Sequence, residues 1–219
     1  MESLNIINIM KTEIIVLKFN NPEVEDNCIK SVIACTTSPY SLTVYDNYPQ
    51  NNNIGGLWNR LIDNSDCEYI CLLNSDTIVP TGWLEKLLDT FNISEKVGVV
   101  GPSTDNSHNS QSKLVDDKII SINFSTFKLP DGKPEILSGF CLVFPKKVWA
   151  EVGGFPEDYG FYGQEVKFID NILEAGYYQI WRKDVFIHHE GSATVKKLAR
   201  EGKFDEAAER KLANDRRIS

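Results

Sequence analysis

Residues 13–19 (EIIVLKF) form an almost unbroken β-branched, apolar run, and polar residues follow at once. Such a run predicts a strand buried on both faces. Asn20-Asn21-Pro22 signals a turn. Over residues 24–36 the apolar positions Cys28, Ile29, Val32 and Ile33 fall at helical spacing. Residues 41–45 (SLTVY) read as a second strand, which ends in Asp46-Asn47. A helix over residues 54–61 follows, opened by two glycines. Residues 68–73 (EYICLL) are a third strand, running straight into Asn74-Ser75-Asp76. Pro80 then breaks the chain, Thr81 stands where an N-cap is expected, and a helix over residues 82–91 carries Glu85 in its first turns. Residues 97–100 (VGVV) read as a fourth strand.

This alternation of strands and helices predicts an α/β protein: a mostly parallel, Rossmann-like sheet with helices on both faces. Ligands of such sheets bind beyond the carboxyl ends of the strands. Three polar clusters fall at those ends: Asn20-Asn21, Asp46-Asn47 and Asn74-Ser75-Asp76.

Beyond residue 101 the pattern loosens. Residues 102–112 (PSTDNSHNSQS) read as a mobile loop beside the site, expected to become ordered with ligand, as is the segment after His189. Residues 114–129 alternate weakly, as edge strands would. GFCLVF at residues 139–144 is a strong strand, and a short helix after Lys146 stops at Gly153-Gly154. Residues 164–175 read as a helix stopped by Gly176. A last strand leads to His188-His189, and residues 195–219 form a charged helical tail. The expected organisation is one domain over residues 1–219. Residues 13–101 make its first half, which carries the three polar clusters, and 102–194 its second.

Composition narrows the function. A net charge of -8 argues against non-specific binding to nucleic acid or anionic lipid. Any phosphate-bearing ligand then needs local help from a metal ion or from helix N-termini. The five cysteines show no zinc-type spacing and read as buried thiols of a reducing compartment. Neither a signal peptide nor a run of about 20 apolar residues is present, so the expectation is a cytoplasmic protein, with peripheral membrane contact left open.

Three constellations can carry chemistry. A carboxylate at a strand end, Asp76, suits a hard divalent cation whose remaining ligands are phosphate oxygens and water, with help from Asn74. Two of the three histidines, His188 and His189, stand together after the last strand, where an imidazole can complete such a shell. Glu165 begins a helix, and a carboxylate at a pocket mouth can take a proton from a hydroxyl. Each has a bland alternative in a turn residue, a surface pair or a first-turn acid.

Taken in order, the segments FNN (19–21), VYDN (44–47), WN (58–59), EYICLLNSDTIVP (68–80), SGFCLVFPKKVWAEVGGFPE (138–157), GQEVKFIDNILEAGY (163–177) and IHHEGSAT (187–194) resemble the inverting glycosyltransferases of family 2, which have the GT-A fold. The resemblance implies that Phe19, Asn20 and Asp46 hold the base and ribose of a nucleotide sugar, and that Asn59 lines the donor pocket. Asn74-Ser75-Asp76 would stand for the motif that holds the metal and diphosphate. It implies Mn²⁺ or Mg²⁺ on Asp76 and His188, with His189 in reserve, and Glu165 as the base in place of a shorter Asp. The donor it suggests is first a UDP-sugar, with dTDP- and GDP-sugars open. The acceptor is a glycan, a lipid-linked sugar or a protein. Lys167 and Asn171 depart from the family pattern and leave the acceptor class open. A non-catalytic nucleotide-sugar-binding protein is the alternative. A nucleotidyltransferase or a Rossmann dehydrogenase would show glycine-rich loops that are missing after the first strand.

Overall fold

The computed structural model describes residues 11–48, 53–107, 109–112, 120–122, 135–160 and 162–191, with isolated positions between 199 and 211. The expected tail therefore lies largely outside the described residues, as do most of the expected edge strands at 114–129.

In chain order the elements are β1 (Thr12–Lys18), α1 (Pro22–Cys35), β2 (Tyr40–Asp46), α2 (Ile54–Asp63), β3 (Tyr69–Asn74), β4 (Thr77–Ile78), α3 (Trp83–Asp89), β5 (Val97–Thr104), β6 (Ile120–Ile122), β7 (Cys141–Pro145), α4 (Lys146–Glu151), α5 (Gln164–Glu174) and β8 (Tyr178–His189). The sheet order is β2-β1-β3-β7-β5-β8-β4, with β6 on β8. β2, β1, β3, β5 and β8 run one way, and β7, β6 and β4 run against them. The sheet is thus mostly parallel, as the sequence pattern predicts.

Each central strand feeds two cores, because alternate side chains leave opposite faces. Ile14, Val16, Cys71, Leu73, Cys141 and Val143 pack on the side of α1 and α3, with Val32, Trp83 and Leu87. Ile15, Ile70, Leu72, Leu142 and Phe144 pack on the side of α2, α4 and α5, with Ile62, Phe155, Phe168 and Ile172. The Phe155 and Phe168 ring centroids lie 4.1 Å apart. Fully burying one such side chain is worth about 1.5–3 kcal/mol. These two clusters anchor the helices, whose ends then position the site. No helix among the described residues is long and apolar enough to cross a membrane.

Two expectations change. β5 does not stop at Gly101-Pro102 but continues to Thr104, buried throughout, and Pro102 stands in register with Arg182 of β8. The loop expected over residues 102–112 is correspondingly shorter, and Ser110–Ser112 form a 3-10 turn whose Gln111 is buried and donates to the Pro102 carbonyl at 2.7 Å. α3 is preceded by Gly82 in the left-handed region (φ 76°), so Thr81 is not its cap.

Glu85, in the first turn of α3, binds the loop between α1 and β2. Its Oε1 accepts hydrogen bonds from Thr37 N at 2.9 Å, Ser38 N at 2.5 Å and the Thr37 hydroxyl. Burial alone would raise the carboxyl pKa, but these bonds outweigh it and hold it below its ordinary value of 4.5. The stabilisation is therefore complete above that value and is lost as pH falls through the lowered one. Glu85→Gln is expected to cost about 1–2 kcal/mol at neutral pH. Its thermal midpoint should converge with that of the parent in acid. Equal midpoints at pH 7 would contradict this.

Candidate functional site

β1, β2 and β3 are adjacent and parallel, so their carboxyl ends share one edge, with Lys18 opposite Asp46 and Leu17 opposite Asn74. After β1 the chain turns around a buried acid. Glu25 of α1 accepts from Phe19 N at 2.5 Å and Asn21 N at 3.1 Å, and Lys18 Nζ lies 3.6 Å from its other oxygen. The turn needs a left-handed residue, and Asn20 supplies it at φ 58°. After β2, Asp46 closes a short turn by accepting from Tyr48 N at 3.1 Å, while Asn47 N donates to the Lys18 carbonyl at 2.9 Å. These turns bring the Phe19 and Tyr48 rings edge to face at 5.6 Å. Phe19, Asn20 and Asp46 thus gather on one rim, as the sequence suggests.

Asn74-Ser75-Asp76 turns the end of β3 into β4, and both Ser75 and Asp76 are buried. β4 pairs with the tip of β8, setting Thr77 against His189 and Ile78 against His188. The two histidines therefore leave β8 on opposite faces. His189 points inward. Its Nε2 lies 3.2 Å from Asp76 Oδ1 and 3.4 Å from Asn74 Nδ2. His188 points outward, with half its side chain exposed, and its Nδ1 pairs with Asp105. The imidazole beside Asp76 is therefore that of His189, where the expectation had put His188 first.

His189 is held from behind. Its Nδ1–H donates to the Asn106 carbonyl at 2.9 Å, its backbone N–H donates to Asp105 Oδ1 at 2.9 Å, and its ring stacks on Phe140 at 5.1 Å. With Nδ1 so occupied, the Nε2 side faces Asp76. Burial disfavours the charged ring, but the Asp76 carboxylate, the Asn106 carbonyl and the Asp105 charge outweigh it, and the pKa is raised. A carboxylate oxygen beside an imidazole whose far nitrogen is fixed by a carbonyl is a donor set that fits a divalent cation. Among the described residues no cluster of three or more His, Cys, Asp or Glu could complete a metal cage. A cation here would draw its other ligands from water and a phosphate-bearing ligand.

Glu165 lies in the first turn of α5, behind Gly163 in the left-handed region at φ 95°. Burial pushes its carboxyl above the ordinary value, and hydrogen bonds from the Glu165 and Gly163 backbone oppose that only in part. Its side chain packs over Gly139, and the next residue, Phe140, accepts a hydrogen bond from Asn74 N at 2.8 Å. The candidate base and the Asp76 turn therefore meet on the dipeptide 139–140.

Asn59 does not join them. Its Nδ2 donates to the Phe155 carbonyl at 2.9 Å and to Glu157 Oε1 at 3.1 Å, and its Oδ1 accepts from Phe155 N at 2.9 Å and Trp149 Nε1 at 3.1 Å. This side chain clamps α2 to the segment after α4, with its polar atoms engaged by protein groups. Asp105 and Asn106 are the site residues that the sequence reading did not single out. The signal was present, since polar residues follow β5 directly once that strand is carried through Pro102.

The family described as Glycosyl transferase family 2 matches residues 43–153. That span is just over half of the chain. It includes Asp46, Asn59 and Asn74 to Asp76, and it ends before Glu165 and the two histidines. No curated protein matches the chain. Among solved structures, the chain is similar to one described as "Crystal structure of GalNAc-T7 with UDP, GalNAc and Mn2+", with a TM-score of 0.61 and 10% identity over 83% of this chain. At that identity the likeness is one of fold. The chain spans 43% of the length of that structure.

The clamp at Asn59 makes a prediction. Asn59→Ala leaves the N–H and carbonyl of buried Phe155 without their partner and is expected to cost about 1–3 kcal/mol of stability. Nucleotide affinity of the folded fraction should change less than twofold. An unchanged midpoint in thermal denaturation, with weakened nucleotide binding, would return Asn59 to the donor pocket.

Proposed function

The chain belongs to glycosyl transferase family 2, and from that membership we propose that it moves a sugar from a nucleoside-diphosphate sugar to an acceptor hydroxyl with inversion at the anomeric carbon. The observation that carries the reading is the Asp76–His189 pair, fixed from behind and set on the same sheet edge as Phe19 and Asp46. The rim formed by Phe19, Asn20 and Asp46 would take the base and ribose. Asn74, Ser75, Asp76 and His189 would lie at the diphosphate. Residues 13–101 would form the nucleotide-sugar-binding half and 102–194 the acceptor-side half, and the two would share one sheet, since β7 lies between β3 and β5.

A divalent cation on Asp76 and His189 would neutralise charge on the departing nucleoside diphosphate. The imidazole favours Mn²⁺ over Mg²⁺, which prefers oxygen ligands, and the similar solved structure is described with UDP and Mn²⁺. A UDP-sugar is accordingly the donor we favour. Glu165 would take the proton of the acceptor hydroxyl as it attacks from the face opposite the leaving group. Acceptor class, metal and base roles all rest on this proposal.

The metal assignment is tested by titration calorimetry with UDP in the presence and absence of Mn²⁺. Asp76→Asn should remove the Mn²⁺-dependent part of the affinity. His189→Ala should weaken it roughly 10–100-fold, and His188→Ala should leave it within twofold. The reverse order for the two histidines would restore His188 as ligand.

For Glu165 the discriminating measurement is the pH–rate profile. A base acts as carboxylate, and burial has raised the pKa of this one. Activity should therefore fall with decreasing pH at a higher pH than an exposed glutamate would give. Glu165→Gln should abolish that limb and lower turnover roughly 10²–10⁴-fold, with UDP affinity little changed. Wild-type turnover in Glu165→Gln would place the base elsewhere, whereas UDP binding without any turnover by the parent chain would favour a nucleotide-sugar-binding protein.

A further inference from the structure

Gly139 is a glycine whose own backbone does not ask for one, since its φ lies outside the left-handed region. The reason lies across the gap. A Cβ built on Gly139 would stand 2.8 Å from Glu165 Cγ, 3.2 Å from Cδ and 3.3 Å from Cβ. Real Cβ contacts are not found at the first of these distances. The side chain of Glu165, half-buried, lies along the space that a side chain at 139 would fill.

We infer that Gly139 is a positioning residue for Glu165: the missing side chain leaves a bed for the glutamate's Cγ and Cδ and so fixes where its carboxyl ends. This rests on the reading of Glu165 as the base and deepens it.

The bed itself is held rigidly. Ser138 N donates to Gln111 Oε1 at 2.7 Å, and Leu137 N donates to Gln179 Oε1 at 3.0 Å. Both glutamines are buried. On the far side, Asn74 N donates to the Phe140 carbonyl at 2.8 Å. Residues 137–140 are therefore stapled to three other segments, and these bonds resist a retreat from an added methyl. The α5 backbone is equally fixed, with Phe168, Ile169 and Ile172 buried behind it. What can yield is the flexible end of Glu165. An alanine at 139 is accommodated by turning the carboxyl out of its place, with the fold kept.

The experiment is Gly139→Ala, read in two ways that do not depend on each other. The first is the titration of the Glu165 side-chain carboxyl by carbon NMR. Burial holds it above the ordinary value in the parent, and in Gly139→Ala it should drop towards that value. The second is turnover, followed as UDP released from UDP-hexoses with Mn²⁺. It should fall roughly 10–100-fold, with the affinity for UDP and Mn²⁺ within twofold. Adding Gly139→Ala to Glu165→Gln should then cause no further loss, because the effect passes through the carboxylate. An unshifted titration in the folded variant overturns the inference. So does undiminished turnover, or an equal loss in the Glu165→Gln background. If Gly139→Ala lowers the thermal midpoint, Glu165→Ala in the same chain must restore it, and failure to do so also overturns the contact. Wild-type turnover in Glu165→Gln sinks the base reading instead, and the titration alone then decides the contact.

Discussion

The contact between Asp76 and His189 joins the end of β3 to the end of the last strand, although β7 and β5 stand between β3 and β8 in the sheet. Neighbouring strands lie about 4.8 Å apart, so the two ends would sit about 14 Å from each other in a flat sheet. Two devices close that gap. β4, only two residues long, leaves β3 just past Asp76 and pairs with the tip of β8. β8 itself breaks register against β5, with Arg182 opposite Pro102 but Phe186 opposite the next residue, Ser103. An irregularity of this kind bends a strand and increases its twist. The Asp76–His189 contact is thus a product of sheet curvature.

The closure also bears on how an acidic chain could take the anionic donor proposed above. The chain carries a net charge of -8. At the closure, however, the Asp76 carboxylate meets an imidazole, while Asp105 is occupied by the His189 backbone N–H and by His188. Glu25 is likewise consumed by the turn after β1. Acid groups near the rim do structural duty, and their partners absorb their charge.

Much of this is legible in the sequence, for reasons that particular residues make plain. β1, β3 and β7 are buried on both faces and so read as continuous apolar runs. α5 ends where Gly176 supplies the left-handed backbone (φ 85°). The inward histidine was not legible. Val185-Phe186-Ile187 is an unbroken apolar run in the sequence, and only the structure, which buries Val185 and Ile187 and exposes Phe186, reveals the period of two that carries His189 inward. A ligand assignment by family position alone passes over that alternation. Asn59 was not legible, because all four of its bonds reach residues far along the chain. Nor does chain order reveal that β7 inserts antiparallel between β3 and β5.

The dipeptide Gly139-Phe140 touches both sides of the candidate site. Gly139 lies under Glu165, the Phe140 carbonyl receives the Asn74 N–H, and the Phe140 ring stacks on His189. Residues that serve two masters in this way have little freedom to drift. On the roles proposed above, a change at either position that suits one side of the site must also suit the other. Variation that leaves the Asp76–His189 contact and the Glu165 carboxyl in place is therefore channelled into segments that do not touch this hinge of contacts. A designer altering the site would vary those segments and leave positions 139 and 140 alone.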